Sequence, residues 1–499
     1  MNMNREDYLK LKKCDFLENT LEEIQKLGTL IDISGILCDK EGIEKSIEVC
    51  NRKLNEIEFG DQNYGVICYF LGNAYSNLKN IRNKNNWESE NNIDKQIKYY
   101  KMALQNNIPP ITKCKIYTNL GNLYDNLGQP IKSILYREKA LDIDPNFTMA
   151  LGTLGSTLLN YSSLVYDEGH KLILIKKSYE IFNKIDFNKN DPDCYPEAKE
   201  SFLQKKISIE SNIDEEFLNG KENYDNYFKN ISFNEKKYRK WCLKNKLFIN
   251  PLNDISTEDS YIAQDILSVP NIVVKKGEGP YFHSMFNQIK QEYVSARYLF
   301  FEGIEGNKSH FSDKGNLIYN TFDYSEYSFN LEKIKISYRI VYSLFDKISY
   351  IINIYFNLKV DYKKVNFRRI WKIAEKEIKA KENYILVGLY HLSKELYNIY
   401  YDEDCIDDEY KELDILRNFL EHKHIRIKSF NKKSFFNEPD GFAYDISKDE
   451  MIKKTYSIFS LIREAIIYLS ISMHLEERKN YSNDYLSLGM RVYSDNEKI

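Results

Sequence analysis

The sequence predicts an all-α protein, a helical solenoid followed by a C-terminal helical bundle, on three observations. Apolar residues recur mostly at three-and-four spacing, the helical period. Only 10 prolines and 20 glycines interrupt 499 residues, so turn signals are sparse. A Leu-Gly pair recurs after 34 residues, at Leu120-Gly121 and again at Leu154-Gly155, the interval of a helix-turn-helix repeat. A chain of this length predicts about two to four domains, and 42% hydrophobic with 29% charged residues suits a folded rather than a disordered chain. The Asn, Lys, Ile and Tyr content, with 40 Tyr, suits an AT-rich bacterial genome.

The N-terminal run MNMNREDYLKLKKCDFLEN lacks the apolar core of a signal peptide, and later apolar runs are broken by charges. A cytoplasmic protein without membrane attachment is therefore expected. GIEKSIEVCNRKLNEI reads as the second helix of a worn repeat. CYFLGNAYSNL, with Leu71-Gly72 and Tyr75, and IDKQIKYYKMALQ, with Ala103, form the next unit. Gly72 and Gly121 are 49 residues apart, so an extra loop at NIRNKNNWESENN separates the helices of that unit. The clearest unit, YTNLGNLYDNLGQPIKSILYREKALDIDP, holds Leu120-Gly121, Tyr124, Gly128, Ala140 and Pro145. Its Gly lets the second helix pack close, and its Pro stops that helix. The arm is bounded at residues 1–215, with its clearest repeats over about 64–185, and its concave face is a candidate site for a protein or peptide partner.

Residues 216–279 read as a linker or clamp, because YRKWCLKNKLFINPLNDIS mixes aromatics with a Pro-Leu-Asn-Asp turn. From 280 to 480 five amphipathic segments supply a bundle, beginning at PYFHSMF, LEKIKIS, ENYILVG, DEYKELD and MIKKTYS. The loop EGNKSHFSDKGNLIYNTFDYSEYS is too long for a simple bundle connection. Residues 481–499 form a polar tail.

The run Leu416-Arg417-Asn418-Phe419-Leu420-Glu421-His422, within the fourth segment, is the most informative. Asn418 and His422 are four apart on one helix face, while Arg417 is about 140° from His422 and must reach along the surface. Leu416, Phe419 and Leu420 supply the buried stripe. An imidazole with an ordinary pKa of about 6.5 can move a proton at neutral pH, and a guanidinium can hold phosphate oxygens as charge builds on them. This set suits metal-independent RNA cleavage by the ribose 2′-hydroxyl. About 0.2 matches to R-x-x-x-x-H arise by chance in a chain of this size, so the surroundings decide. The structural alternative pairs Arg417 with Glu421 and leaves His422 and His424 on a solvated helix end.

Those surroundings resemble the HEPN superfamily of ribonucleases. The run at Arg417 to His422 looks like its R-x-x-x-x-H signature, with a polar residue after the Arg. FINPLND, FNQIKQEYVSARY, YSLFDKI and LRNFLEH together resemble a bacterial HEPN subgroup whose nuclease domain follows tetratricopeptide (TPR) repeats, covering roughly residues 238 to 475. The resemblance implies Arg417 and His422 as a catalytic pair, Asn418 as an accessory polar residue, and a homodimer in which two motifs face one cleft. It also implies a toxin or antiphage effector acting on tRNA or mRNA. Relatives often carry Tyr two residues after the His; here His424 stands there, as a second imidazole or a packing residue.

Gln288 and Glu292 in the first bundle helix line either the cleft, with Glu292 a charge partner for Arg417, or a solvated face. Asp346-Lys347 reads as a structural ion pair. Of two basic clusters, Arg368, Arg369 and Lys372 read as a solvated face, whereas Arg426, Lys428, Lys432 and Lys433 directly follow the motif and suit an RNA backbone. Such a contact must be local, because 71 basic and 74 acidic residues leave a net charge of -3. The eight cysteines are scattered and neither metal nor disulfide spacing occurs; no metal and no cofactor is expected. Phosphate-loop, zinc-protease and serine-hydrolase motifs are lacking. The rival class is a non-catalytic TPR scaffold whose helical bundle only dimerises.

Overall fold

The computed structural model describes residues 4–81, 90–189, 191–220, 227–272, 280–306, 309–397, 410–428, 441–480 and 491–498. The chain divides into two compact units, one comprising 1–159 and 177–214, the other 160–176, 215–397 and 408–499.

The first unit is the expected helical solenoid. It opens with α1 (Arg5–Lys13), then the pair α2 (Leu21–Ile36) and α3 (Lys40–Leu54), the worn repeat of the sequence. Thr20 and Asp39 cap these two helices by accepting from the backbone N–H of Glu23 and Gly42. The next pairs are α4 (Gln62–Ile81) with α5 (Glu90–Leu104) and α6 (Pro110–Asn126) with α7 (Pro130–Ile143). Most of the polar insertion between α4 and α5 lies outside the described residues. Pro110 and Pro130 sit in the first turns of α6 and α7, where a missing N–H is harmless, and α7 stops two residues before Pro145. α8 (Thr148–Leu164) and α9 (Glu168–Phe182) follow, their residues 160–176 belonging to the second unit, and α10 (Pro196–Asn212) closes the first.

Close approach explains the repeated glycines. A Cβ at Gly72 would fall 2.3 Å from the Tyr100 ring, and one at Gly155 2.7 Å from Phe182. These two glycines each receive an aromatic side chain of the second helix, and Gly121 receives the stem of Arg137, 3.0 Å from where its Cβ would be. Within the α6–α7 pair, buried Arg137 donates to Asp125 and Asn122, both at 2.8 Å, and from the next repeat Thr157 of α8 donates to the same Asp125 at 2.6 Å.

The second unit begins with α11 (Glu215–Asn219) and α12 (Phe233–Lys244), and its long helices are α13 (Tyr281–Glu305) and α14 (Phe329–Tyr355). Two short helices, α15 (Ile370–Ile373) and α16 (Glu375–Ala380), precede α17 (Tyr384–Tyr397), the motif helix α18 (Leu413–His422) and α19 (Lys448–Asn480). Among the described residues α19 alone is long and apolar enough to cross a membrane, but 83% of its most apolar stretch is buried inside the protein, as a core helix is.

The segment read as a linker or clamp is tied into the second unit by buried charges. Arg463 on α19 donates to Asp254 at 2.5 Å and to the Asn250 carbonyl at 2.8 Å, and Tyr161 donates to Asp254 at 3.0 Å. Arg297 on α13 makes a two-pronged pair with Asp265, at 2.8 and 2.6 Å. Each ion has several partners, which burial of charge demands. The fourth amphipathic segment is not helical throughout. α18 ends at His422, and β1 (His424–Lys428) pairs in parallel with β2 (Ala443–Ser447), Arg426 opposite Asp445. HIRIK alternates polar and β-branched residues, so it fits a strand whose Ile427 is buried together with Ile446 of β2.

Candidate active site

The motif helix is short and strongly two-faced. Leu413, Leu416 and Leu420 are buried, Arg417 and Asn418 are half-buried, and His422 is exposed at its last position. α14 fixes it from end to end. Tyr338 donates to the Leu413 carbonyl and Tyr342 to the Asp414 carboxylate, both at 2.7 Å, while Arg339 donates through Nε to the Leu420 carbonyl at 3.2 Å. Residues 338 and 342 lie one turn apart on a helix, so one face of α14 holds the first turn of α18 and Arg339 satisfies a carbonyl of its last turn. From β2, Tyr444 donates to Glu412, the left-handed residue where α18 begins.

The guanidinium carbon of Arg417 lies 5.4 Å from the Tyr342 ring centroid, and its Nη1 donates to Asn418 Oδ1 at 3.1 Å. A cation over an aromatic face, further oriented by an amide, keeps donors for an anionic ligand. Asn418 therefore touches Arg417. No described residue hydrogen-bonds the His422 imidazole.

Asp346 adds a group the sequence assigned elsewhere. It does not pair with Lys347: its Oδ1 accepts from the Phe367 N–H at 2.9 Å, whereas Lys347 binds Glu292, at 2.5 Å to Oε2. Partial desolvation raises the Asp346 carboxyl above the ordinary carboxylate range, against the Phe367 N–H and the Arg417 charge. Asp346 is solvent-accessible and under the influence of Arg417, which sequence spacing alone would not reveal. Burial, then Tyr397 and Asp414, push the Tyr342 phenol upward, so it stays a donor.

These contacts bear on three readings of the sequence. Glu292 accepts from Lys347 and from Gln288, whose Nε2 donates to it at 2.9 Å, which fits the polar-face alternative rather than a charge partner for Arg417. Arg417 is not paired with Glu421, whose carboxylate faces Arg339 at 4.0 Å. Arg426 and Lys428 are buried and both donate to Asp445 at 2.6 Å, so their charges are compensated inside the ribbon rather than offered to phosphates. Burial alone would raise the Asp445 carboxyl; Lys428 and Arg426 hold it below its ordinary range. Lys432 and Lys433 lie outside the described residues. His424 is exposed on β1, its ring 5.5 Å from Phe442.

One member of the basic cluster set aside from sequence, Arg368, meets the motif helix. Arg368 Nη1 is 3.5 Å from Asp414 Oδ2, and its guanidinium lies 5.5 Å from the Tyr397 ring centroid. Nothing in the local run NFRRIWK distinguishes it from a solvated cation.

Residues 273–476 match the LA2681-like HEPN family, and residues 115–147 match the tetratricopeptide repeat. The chain thus has a tetratricopeptide repeat ahead of a C-terminal HEPN domain, the order expected from sequence. The HEPN match suggests nuclease or RNA-related chemistry, and the repeat suggests protein interaction. No curated protein and no solved structure is significantly similar to the chain.

Proposed function

We propose that this chain, with its repeat arm and LA2681-like HEPN domain, is a metal-independent endoribonuclease whose active residues are Arg417, Asn418 and His422. The observation that carries the reading is the helix α18. It is fixed along its length by α14, yet it displays a ring-seated guanidinium and, on its accessible side, an imidazole that no described residue engages.

In the proposed reaction the ribose 2′-oxygen attacks the adjacent phosphorus. His422 takes the 2′-hydroxyl proton or delivers one to the departing 5′-oxygen. A new P–O2′ bond forms as the P–O5′ bond breaks, leaving a 2′,3′-cyclic phosphate and a 5′-hydroxyl. Arg417 donates to the non-bridging oxygens where negative charge concentrates, and Asn418 orients Arg417. The HEPN resemblance further supports a homodimer with two motifs in one cleft, and a cytoplasmic toxin or antiphage effector whose arm binds a protein cue.

The decisive experiment incubates purified protein with RNA in chelator and maps the ends. Cyclic phosphate ends are expected, with cleavage lowered at least a hundredfold by either Arg417→Ala or His422→Ala, the scale of losing one transition-state donor or proton carrier. Cleavage that requires Mg²⁺, or that survives His422→Ala, would remove the assignment and leave the scaffold reading.

A further inference from the structure

Arg417 has a counterpart across the site. Arg417 lies over Tyr342 and Arg368 over Tyr397, and the two tyrosine rings meet edge to face with centroids 6.4 Å apart. Asp414 joins the two halves, accepting from Tyr342 at 2.7 Å and facing Arg368 at 3.5 Å. Asp414 and Arg417 are three residues apart on α18 and so share a side of the helix. Two arginines, each seated on a tyrosine, therefore border the same stretch of α18.

The Arg368 contact does not look like a structural brace. The bracing arginines of this unit, Arg297 and Arg463, are buried and hold several short bonds each. Arg368 is 55% exposed and has a single ion-pair contact among the described residues. An exposed one-point pair is worth little to stability, whereas a guanidinium has five donors, so most of those of Arg368 remain for a ligand. The ring beneath it limits its rotamers before any ligand arrives.

We propose that Arg368 is a second phosphate-binding residue, gripping the phosphate next to the scissile one while Arg417 serves the scissile phosphate. This rests on the ribonuclease reading and extends it to a strand held at two successive phosphates. Asp414 keeps the guanidinium in place in the free protein through one contact, which leaves its other donors to meet a phosphate.

The test measures binding of a short single-stranded RNA in a His422→Ala background, where cleavage does not interfere. Arg368→Ala should weaken binding about tenfold, the scale of one hydrogen bond to a charged group. It should also flatten the slope of log affinity on log salt by about 0.7, the contribution of one phosphate on a single strand. With His422 restored, Arg368→Ala should raise KM far more than it lowers kcat and leave the Tm unchanged. Asp414→Asn should bind RNA at least as tightly as wild type. Unchanged affinity and salt slope in Arg368→Ala overturn the proposal. So does a matching drop in Tm and kcat for Arg368→Ala and Asp414→Asn, the signature of a brace. Cleavage by the otherwise wild-type chain that survives both Arg417→Ala and His422→Ala overturns the ribonuclease reading itself.

Discussion

Asp346 carries a carboxylate whose folded surroundings oppose its ionisation. Its carboxyl is raised by partial desolvation, with Arg417 and the Phe367 N–H only partly offsetting that cost. A raised carboxyl pKa in the folded state means that the folded form binds the proton more readily. Stability from this group is therefore greatest at low pH and falls as pH rises from the ordinary value of about 3.9 through the folded value. Asp346→Asn should remove that loss, so the variant gains Tm relative to wild type at pH 7 and the gain shrinks toward pH 4. A gain that is constant with pH would show that the carboxyl is not desolvated. The Arg417–His422 spacing was legible in the sequence as a candidate pair, but the approach of Asp346 and Arg368 to the motif helix was not. Their relevance depends on Tyr342, Tyr397 and Asp414, which are brought together from different helices only by the fold.

At the scale of elements, the helices with clear periodicity and a reason for each glycine were legible, and the ribbon was not. HIRIK continues the charge pattern of the helix before it, and the residue that compensates Arg426 and Lys428 is Asp445, on a strand that begins only at Ala443. A pairing of that range leaves no local mark. Asp445→Ala would take a shared carboxylate from two buried cations, and it should cost about 2 kcal/mol, less than for a fully buried pair because the carboxylate keeps some water. Because the Asp445 carboxyl is held low, the same support is present above about pH 4 and lost as pH falls through the folded value. Denaturant midpoints of wild type and Asp445→Ala should converge in acid; a constant gap would mean that the ion pairs contribute nothing. In the arm, Gly155→Ala forces a methyl against Phe182, and overpacking of that kind costs about 1–3 kcal/mol. An unchanged melting profile for that variant would show that the helix pair relaxes freely.

For the whole molecule, the sharpest consequence of the proposed homodimer concerns where one active site ends. Arg417 and His422 are five apart on α18, and the arginine is drawn toward Tyr342 and Asn418 rather than bonded to its own chain's imidazole. If two motif helices face one cleft, the guanidinium of one chain can serve the imidazole of the other. Arg417→Ala and His422→Ala proteins, each inactive alone, should then regain part of the wild-type rate when mixed and allowed to exchange subunits. A mixed dimer has one intact Arg417 and one intact His422, so recovery should rise with the fraction of mixed dimers and saturate once exchange is complete. Sedimentation must show two chains per particle for both variants, because a monomer could not complement. Dimeric variants that exchange subunits yet recover no cleavage would mean that each chain needs its own Arg417 and His422, and that pairing serves the bundle rather than the chemistry.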